Sequence, residues 1–348
     1  MMVESFMRSR IGHTYTASLF EWMNEIDKEE FQTMEYFRIE DELKYYGKRY
    51  QLEKEIEEMF MHEGYTHLEL SAFENLDQLR SLYNKLKKEH IVKVYGGSDI
   101  LVLRTDHTAS IIKNLIPRWE PGLKLKLFYN SDVFRSSPNG EIKEIKQLGI
   151  EYLGEAALKA DKEVFGLALQ ILNRYDQGFI IEVSNSKFIR GLIEAMALSE
   201  EEIERLKDLI DRKNCFELVE FSEGLDLPEE IRNSLLNLLD LQGDLTALVK
   251  QAEQNYLNPT MAEALAELME LKTFTDKLGY SQHVYFDLSL LMELDYYDGL
   301  IFKGYYPNSF KEIVCGGRYD SFTEEFGQKI SAVGFSLDAD ELMEKGGA

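Results

Sequence analysis

The sequence predicts an α+β protein, with an antiparallel sheet flanked by helices and an all-helical insertion in its second half. Two patterns indicate this class. Short strand-like runs are joined by turn clusters, and tight turns of this kind connect antiparallel strands. Across residues 187–278 the strand-like runs stop, and Leu, Glu, Ala and Lys recur at helical spacing. A doubly wound parallel sheet is less compatible with the hairpins, because parallel strands need long crossover connections.

The first half of the chain contains, after a mixed N-terminal stretch, an amphipathic helix. Leu52, Ile56, Met59 and Phe60 recur at helical spacing, and Gly64 suits the position that follows a helix end. Residues 66–73 alternate apolar and polar side chains, which predicts a half-buried strand. The next predicted elements are a helix over 76–89, strands over 99–104, 124–134 and 145–153, a helix over 157–177 and a strand over 178–183.

Two turn clusters mark the predicted hairpins. Residues 136–140, Ser-Ser-Pro-Asn-Gly, separate two strand-like runs, and residues 307–309 separate the runs over 299–306 and 311–315. The remaining predicted elements are a strand over 283–288, a strand over 332–337 and a terminal helix over 338–345. The strands outside the insertion are thus predicted to form an antiparallel sheet flanked by helices.

The predicted organisation has four parts. They are an N-terminal arm or extension over 1–42, a first core part over 43–186, the helical insertion over 187–281 and a second core part over 282–348. The sequence leaves open whether the N-terminal part is an arm or a short helix. It also leaves open whether the insertion contacts a partner or covers the sheet.

Charge and composition argue against several classes of function. The chain has 39 Lys and Arg against 63 Asp and Glu, a net charge of −24, whereas a dedicated nucleic-acid binder needs a basic face. No run of about 18 apolar residues is present to form a membrane-spanning helix, so no membrane partner is expected. The N-terminus lacks the apolar segment of a secretory signal. Only two cysteines are present, which favours a cytoplasmic location.

The motifs of common catalytic and metal sites are missing from the sequence. It contains no GxxxxGK[ST], no GxGxxG after a strand and no HExxH. The six His residues are scattered without metal-ligand spacing, so no metal site is predicted. Cys215 and Cys315 are interpreted as small buried residues rather than nucleophiles.

Three groups of residues, taken together, resemble a known family. They are Leu-Arg-Thr-Asp-His-Thr-Ala at 103–109, Asp-Val-Phe-Arg at 132–135 with Gln-Leu-Gly-Ile-Glu at 147–151, and Leu-Asp-Tyr-Tyr at 294–297 with Gly-Gly-Arg-Tyr-Asp at 316–320 and Ala-Val-Gly-Phe at 332–335. In this order and spacing they resemble the class II aminoacyl-tRNA synthetase core, specifically that of histidyl-tRNA synthetase, over residues 45–185 and 282–342.

The chain is more similar still to a family of synthetase paralogues, the regulatory subunits of short-form ATP phosphoribosyltransferase. These proteins usually lack the C-terminal anticodon-binding domain of the synthetases. The sequence stops at Ala348, directly after the last core motif, so no anticodon-binding domain is expected.

Relative to the synthetases, three elements that handle ATP are changed. By the resemblance, Met292 and Glu293 stand where the synthetases carry Arg-Gly, and Ser137 stands where a Glu reads adenine. Residues 338–341, Asp-Ala-Asp-Glu, replace a Gly-Leu-Glu-Arg motif. Amino-acid activation builds up negative charge that fixed arginines neutralise. The resemblance therefore implies that aminoacylation is lost, that the chain is not an enzyme and that it needs no cofactor.

The positions that bind free histidine in the family are better kept. The resemblance implies a histidine site at Asp106, Thr108, Arg135, Gln147, Glu151, Tyr296, Tyr297 and Arg318. The two carboxylates suit the ligand's ammonium group, and Arg135 suits its carboxylate. The tyrosine pair suits the imidazole ring. Asp106 is one methylene shorter than the Glu of the family.

Structural explanations of the same residues stay open. Arg135 and Glu151 are suited to an ion pair across neighbouring strands, and Tyr296 and Tyr297 are suited to a hydrophobic core. Two adjacent glycines such as Gly316 and Gly317 also occur in ordinary turns.

Three hypotheses about function follow. In the first, the chain is a regulatory subunit that activates the short catalytic ATP phosphoribosyltransferase in the first step of histidine biosynthesis and mediates feedback inhibition by histidine. The resemblance implies a homodimer, formed through residues 45–74, within a hetero-octamer. In the second, it is a divergent synthetase, which an ATP–pyrophosphate exchange assay would reveal. In the third, it is a histidine-binding module with another partner, and the absence of a short catalytic transferase gene nearby would favour it.

Overall fold

The computed structural model describes residues 38–76, 91–96, 99–137, 139–307 and 309–346. The chain divides into two compact units, residues 1–50 and residues 51–348. Of the first unit, the described part is residues 38–50, which are helical from Ile39 onwards. The second unit contains all the strands of the described ranges.

Two predictions fall largely on residues that are not described. The N-terminal arm over 1–42 lies outside the described residues up to position 37. The helix over 76–89 lies outside them after its first residue.

The first half of the described chain combines three helices with seven strands. In order these are α1 (Ile39–His62), β1 (Thr66–His67), β2 (Phe73–Asn75), β3 (Lys93–Gly96), β4 (Asp99–Leu103), α2 (His107–Leu115), β5 (Leu125–Ser136), β6 (Ile142–Leu153), α3 (Ala157–Tyr175) and β7 (Ile180–Asn185).

The second half begins with a run of helices and returns to strands. In order these are α4 (Ser186–Met196), α5 (Glu200–Asp211), α6 (Cys215–Glu223), α7 (Glu229–Asn237), β8 (Gln242–Gly243), α8 (Leu245–Ala252), α9 (Pro259–Leu278), β9 (Val284–Asp287), β10 (Leu300–Tyr305), β11 (Val314–Arg318), α10 (Asp320–Glu324), β12 (Ala332–Asp338) and α11 (Ala339–Lys345).

The described residues form one nine-stranded sheet with the order β1-β5-β6-β12-β11-β10-β7-β9-β8. All neighbouring strands in it are antiparallel, except that β1 runs parallel to β5 and β7 runs parallel to β9. A second, three-stranded antiparallel sheet has the order β2-β4-β3. The predicted α+β class with a mainly antiparallel sheet is confirmed.

Helix α1 forms where the apolar spacing predicts it. Leu52, Ile56 and Phe60 are buried on one face of the helix. Gly64 follows the helix end with a φ of 85°, and the Tyr65 N–H donates to the Phe60 carbonyl at 3.0 Å. A residue with positive φ at this point is a common way to end a helix, and glycine adopts it without strain.

The single strand predicted over 66–73 is wrong. Only β1 and β2 lie in that stretch, and they belong to different sheets. The backbone between them is held by a side chain: the buried Arg104 guanidinium donates from Nη1 to the carbonyls of Leu70 and Ser71, at 2.9 and 3.3 Å. A distant side chain thus satisfies the carbonyls that a regular strand would direct to a neighbouring strand.

Both predicted hairpins are confirmed. Strands β5 and β6 pair along their full 12 residues, from Leu125 opposite Leu153 to Ser136 opposite Ile142. Strands β10 and β11 pair antiparallel across the second turn, with Ile301 opposite Gly317. These hairpins set the register of the central strands, because each turn fixes which residues lie opposite each other.

Helices cover one face of the large sheet. Helix α3 contacts β6, β11 and β12, and α11 contacts β6 and β12. The Leu172 side chain of α3 lies against Gly304 of β10, where any larger residue would collide with it. The residues next to Gly304 on β10 therefore point to the opposite face of the sheet, which α3 does not cover.

The insertion is built from α4 to α9, as predicted for an all-helical segment. Its one exception among the described residues is the two-residue strand β8, which pairs with β9 at the edge of the large sheet. The longest helix of the insertion, α9, contacts α3, α4 and β7. Within the described ranges no helix is both long and apolar enough to cross a membrane.

Candidate functional site

A row of directly paired residues crosses the face of the sheet that α3 leaves uncovered. Tyr129 lies opposite Gly149, Gly149 opposite Ser336, Ser336 opposite Cys315, and Cys315 opposite Lys303. Directly opposite residues of antiparallel strands point to the same side. Four of these five residues line a cavity of about 320 Å³. The row therefore forms the floor of that cavity.

The walls of this cavity come from the start of α2 and from the segment between β9 and β10. Six of the eight residues predicted for the histidine site line it: Asp106, Thr108, Arg135, Gln147, Tyr296 and Tyr297. Glu151 lies directly behind two of the lining side chains, and Arg318 lies elsewhere. The structure therefore brings together residues that are up to 191 positions apart, from Asp106 to Tyr297.

Asp106 is the N-cap of α2. Its Oδ1 accepts a hydrogen bond from the Ala109 N–H at 2.7 Å, which satisfies one of the free donors at the helix start. Burial raises the pKa of Asp106, while the Ala109 bond and the nearby Arg135 oppose that rise. The carboxylate is thus fixed by the helix start and presented to the cavity.

Glu151 is a buried carboxyl group with two hydrogen-bond donors. Thr108 Oγ1 donates to its Oε1 at 2.5 Å, and the Tyr319 hydroxyl donates to its Oε2. Glu151 is only 1% exposed, and burial raises its pKa to about 8, despite the two hydrogen bonds, which lower it. At neutral pH burial therefore favours the protonated acid.

Glycines make room for these side chains at two points of the floor. A Cβ at Gly334 would collide with the Glu151 carboxylate and with the Ile150 carbonyl. A Cβ at Gly149 would collide with the Tyr129 hydroxyl. The close approach of a carboxyl group and a phenol to the sheet therefore requires glycine at both positions.

Aromatic rings form the wall beside the buried carboxyl group. The rings of Tyr296 and Tyr297 lie 4.6 Å apart, and Tyr296 also stacks on Phe322 at 4.7 Å. Tyr296 is 5% exposed and belongs to the hydrophobic cluster around α2. Tyr296 is thus a core aromatic and a part of the cavity wall at once.

Arg135 does not pair with Glu151. It lies opposite Lys143 in the hairpin, whereas Glu151 lies opposite Leu127, so the two are far apart along the strands. Its Nη1 instead lies 3.8 Å from Oε2 of Glu293, and both side chains are partly exposed. The ion pair across neighbouring strands is therefore wrong as an explanation of these residues.

The charged residues at the cavity opening differ from the buried groups. Arg135, Glu293, Lys303, Lys311, Glu312 and Asp338, here called the charged rim, line the same cavity. Asp338 is also the N-cap of α11, where its Oδ1 accepts from the Asp340 and Glu341 N–H groups at 3.0 Å. Lys311 pairs with Glu341 at 2.7 Å. Several rim charges are thus committed to contacts within the chain.

Arg318 points away from the cavity. On β11 it lies three positions beyond Cys315, and alternation directs it to the face that α3 covers. There its Nε and Nη2 donate to Asp161 at 3.0 and 2.7 Å, and its Nη1 donates to Asp320 at 2.8 Å. Arg318 as a whole is 4% exposed. The geometry thus gives Arg318 a structural role in place of ligand contact.

Sequence reasoning missed two tyrosines of the cavity. Tyr129 and Tyr319 are 2% and 1% exposed and both line it. His107 stacks on Tyr129 with ring centroids 4.1 Å apart, and its Nε2–H donates to the Ser131 carbonyl at 3.2 Å. Burial lowers the pKa of His107 to about 3, so it stays neutral. The period of two along β5, which places Tyr129 on the same face as Arg135, was a usable signal for Tyr129.

The two cysteines differ from the interpretation as small buried residues. Cys215 is exposed at the start of α6, and Cys315 lies on the cavity floor. Burial raises the pKa of the Cys315 thiol to about 12, which keeps it protonated and unreactive. No three His, Cys, Asp or Glu side chains lie together as a metal site would require, in the part of the chain that the structure describes.

The sheet, the two hairpins and a cavity on the uncovered face are those of a class II aminoacyl-tRNA synthetase core. The family model described as "Histidyl-tRNA synthetase" matches residues 42–342. A solved structure from Bacillus halodurans, titled as an ATP phosphoribosyltransferase regulatory subunit/histidyl-tRNA synthetase, superposes with a TM-score of 0.76 at 28% identity. The match covers 86% of this chain and 79% of that one.

Curated relatives narrow the family further. The ATP phosphoribosyltransferase regulatory subunit of Clostridium acetobutylicum is 31% identical over 84% of this chain and 73% of its own length. The protein of the same name from Oceanobacillus iheyensis is 28% identical over 83% of this chain and 72% of its own length. The chain therefore belongs to the histidyl-tRNA synthetase family and, within it, to the ATP phosphoribosyltransferase regulatory subunits.

Proposed function

We propose that the protein activates the short catalytic subunit of ATP phosphoribosyltransferase in the first step of histidine biosynthesis, and that free histidine acts on it as the feedback inhibitor. The observation that carries the proposal is the combination of two features. The two curated relatives described above are both named ATP phosphoribosyltransferase regulatory subunit. The cavity keeps polar groups suited to an amino acid, while its rim carries acids where the synthetases handle ATP.

The cavity's chemistry matches histidine group by group. Asp106 and Glu151 supply carboxyl oxygens for the ligand's ammonium, and Thr108, which donates to Glu151, supplies a neutral hydroxyl. Arg135 supplies a guanidinium for the ligand's carboxylate. The paired rings of Tyr296 and Tyr297 supply a flat wall for the imidazole.

Gln147 and Arg318, the last two of the eight predicted residues, have different roles in the proposed site. Gln147 lines the cavity beside the rim and supplies a neutral hydrogen bond. Arg318 acts from behind, by fixing Asp161 and Asp320 next to the strand that carries the floor.

Loss of aminoacylation is part of the same proposal. A triphosphate brings several negative charges, and its transfer chemistry depends on fixed cations. The rim has three cations and three carboxylates, a net charge of zero. By the resemblance, Glu341 in the first turn of α11 stands where the synthetases place an arginine. Ser137 has no charge, and its hydroxyl is bonded within the hairpin turn, to Glu141 O at 3.0 Å. These features disfavour binding of ATP.

The proposal includes the assembly. We expect a homodimer that joins catalytic subunits in a hetero-octamer in the cytoplasm. The two core parts, 43–186 and 282–348, supply the residues that line the cavity, and the insertion over 187–281 separates them in sequence. Inhibition by histidine requires a coupling free energy between the cavity and the partner's active site, typically about 1–3 kcal/mol.

Reconstitution tests this function. The short catalytic subunit is assayed for phosphoribosyl transfer alone, with this chain, and with this chain plus histidine. The proposal predicts co-purification, strong activation, and reversal of the activation by histidine. Activation that histidine does not affect would contradict the role of the cavity, and no complex would contradict the assignment of the partner. ATP–pyrophosphate exchange with histidine would instead indicate a synthetase.

A further inference from the structure

The carboxylate of Glu293 lies in the wall that separates two cavities. The segment between β9 and β10 carries Met292, Glu293, Leu294, Tyr296 and Tyr297, which line both the 320 Å³ cavity and a second one of about 870 Å³. Helices α4 and α5 of the insertion form the other side of the second cavity. Glu293 therefore faces the proposed histidine site from a segment without regular secondary structure, and the second cavity lies on the other side of that segment.

Within the first cavity, Glu293 is the nearest carboxylate to Arg135. The distance from Arg135 Nη1 to Glu293 Oε2 is 3.8 Å, and the two side chains are 28% and 39% exposed. Arg135 is the group that the proposed function assigns to the ligand's carboxylate. The chain thus places a carboxylate of its own where a bound amino acid would place another.

We propose that Glu293 is a specificity-determining residue: its carboxylate competes with the carboxylate of the ligand for Arg135. This inference rests on the proposed histidine site. A ligand with a carboxylate must displace Glu293 or accept repulsion from it, whereas an imidazole amine without a carboxylate leaves the Arg135–Glu293 pair intact. The cavity therefore discriminates weakly between histidine and the amine histamine.

The size of the effect follows from the exposure of the pair. An ion pair that is about one-third exposed contributes little, because water screens it, so Glu293 can rotate away at modest cost. Thr108 donates a hydrogen bond to Glu151, and the proposed site assigns these two buried groups to the ligand's amine. The competition is thus confined to the carboxylate end of the ligand.

Calorimetric titration with histidine and histamine at low ionic strength tests this role. Glu293→Gln keeps the size of the side chain and removes its charge. We expect histidine to bind about 2- to 5-fold more tightly to Glu293→Gln, with histamine changed by less than about 2-fold. In an Arg135→Gln background the same substitution is expected to leave histidine binding unchanged.

Glu312→Gln is the matched control, because Glu312 lines the same cavity and loses the same charge. It is expected to shift histidine and histamine equally. Equal shifts of both ligands in Glu293→Gln, or no gain for histidine, would overturn the role of Glu293 while leaving the histidine site in place. If neither ligand binds the unaltered protein or any variant, the proposed site itself is wrong, and the role of Glu293 fails with it.

Discussion

The buried end of the cavity and its charged rim follow different physical rules. The buried end, made by Asp106, Thr108, Tyr129, Glu151, Tyr296 and Tyr319, consists of groups that hydrogen-bond one another or pack in the core. The charged rim is partly open to water. Arg135 pairs with Glu293 within it, Lys311 pairs with Glu341 of α11, and Asp338 caps that helix.

The buried groups and the rim charges differ in how much free energy it costs to change their partners. A buried polar group that loses its partner is costly, so the buried end must be complete before a ligand arrives. Screened charges at the rim exchange partners cheaply. We therefore propose that the fold, with its buried end kept and its rim rebuilt, retains recognition of the amino acid and has lost the handling of ATP.

The largest effect is expected from the substitution that removes the Arg318 guanidinium behind the cavity floor. Arg318→Met leaves Asp161 and Asp320 without their cation in a buried setting. We expect a loss of about 3–5 kcal/mol in the free energy of unfolding, measured with urea. Arg212→Met, which removes an exposed pair with Asp208, should cost less than about 1 kcal/mol. Weak histidine binding by an Arg318→Met protein of unchanged stability would contradict the structural role.

The next effect in size is expected when a side chain fills the space under the buried carboxyl group of Glu151. Gly334→Ala drives a Cβ into the Glu151 carboxylate and the Ile150 carbonyl. We expect a loss of about 1–3 kcal/mol in the free energy of unfolding and no binding of histidine. The control is Gly47→Ala, where a Cβ meets no atom within 4 Å, and where alanine in a helix should stabilise. Equal effects of the two substitutions would refute the tight packing at the floor.

A third prediction compares histidine binding after the removal of either of two carboxyl groups of the same cavity. Glu151→Gln removes a buried carboxyl group, and we expect histidine to bind about 10- to 100-fold more weakly. Glu312→Gln at the rim should change binding by less than about 2-fold. Both values come from calorimetric titration of the folded variants. If the two variants lost affinity for histidine to a similar extent, the buried end would contribute no more to recognition than the rim does.

The pH dependence of stability gives the smallest expected effect. Burial raises the pKa of Glu151 in the folded state to about 8, above its ordinary value, so the folded state holds this proton more tightly than the unfolded state. Stability therefore falls as pH rises from about 4.5 to 8. We expect Glu151→Gln to lose less stability than the unaltered protein between pH 5 and pH 6, by on the order of 1 kcal/mol. Parallel pH profiles would contradict a buried, protonated Glu151.

Elements with strong local signals were predictable from the sequence. The spacing of Leu52, Ile56 and Phe60 and the positive φ of Gly64 give α1 its extent, and turn residues mark both hairpins. The helices of the insertion also follow from periodicity alone. These features depend on residues close together in sequence.

The rest depends on contacts between distant residues. The strand over 66–73 is broken by hydrogen bonds from Arg104, about 34 positions away from Leu70. Arg135 finds Glu293 rather than Glu151 because the register of the hairpin separates the latter pair. The direction of Arg318 was readable from alternation along β11, once Cys315 is placed on the cavity floor.

Titration of histidine and of Mg-ATP into the same purified protein tests the central claim most directly. The account predicts saturable binding of histidine, weakened by Glu151→Gln, and no measurable binding of Mg-ATP at concentrations that saturate a synthetase. Binding of Mg-ATP, made tighter by histidine, would contradict the claim that the rim has lost its ATP chemistry.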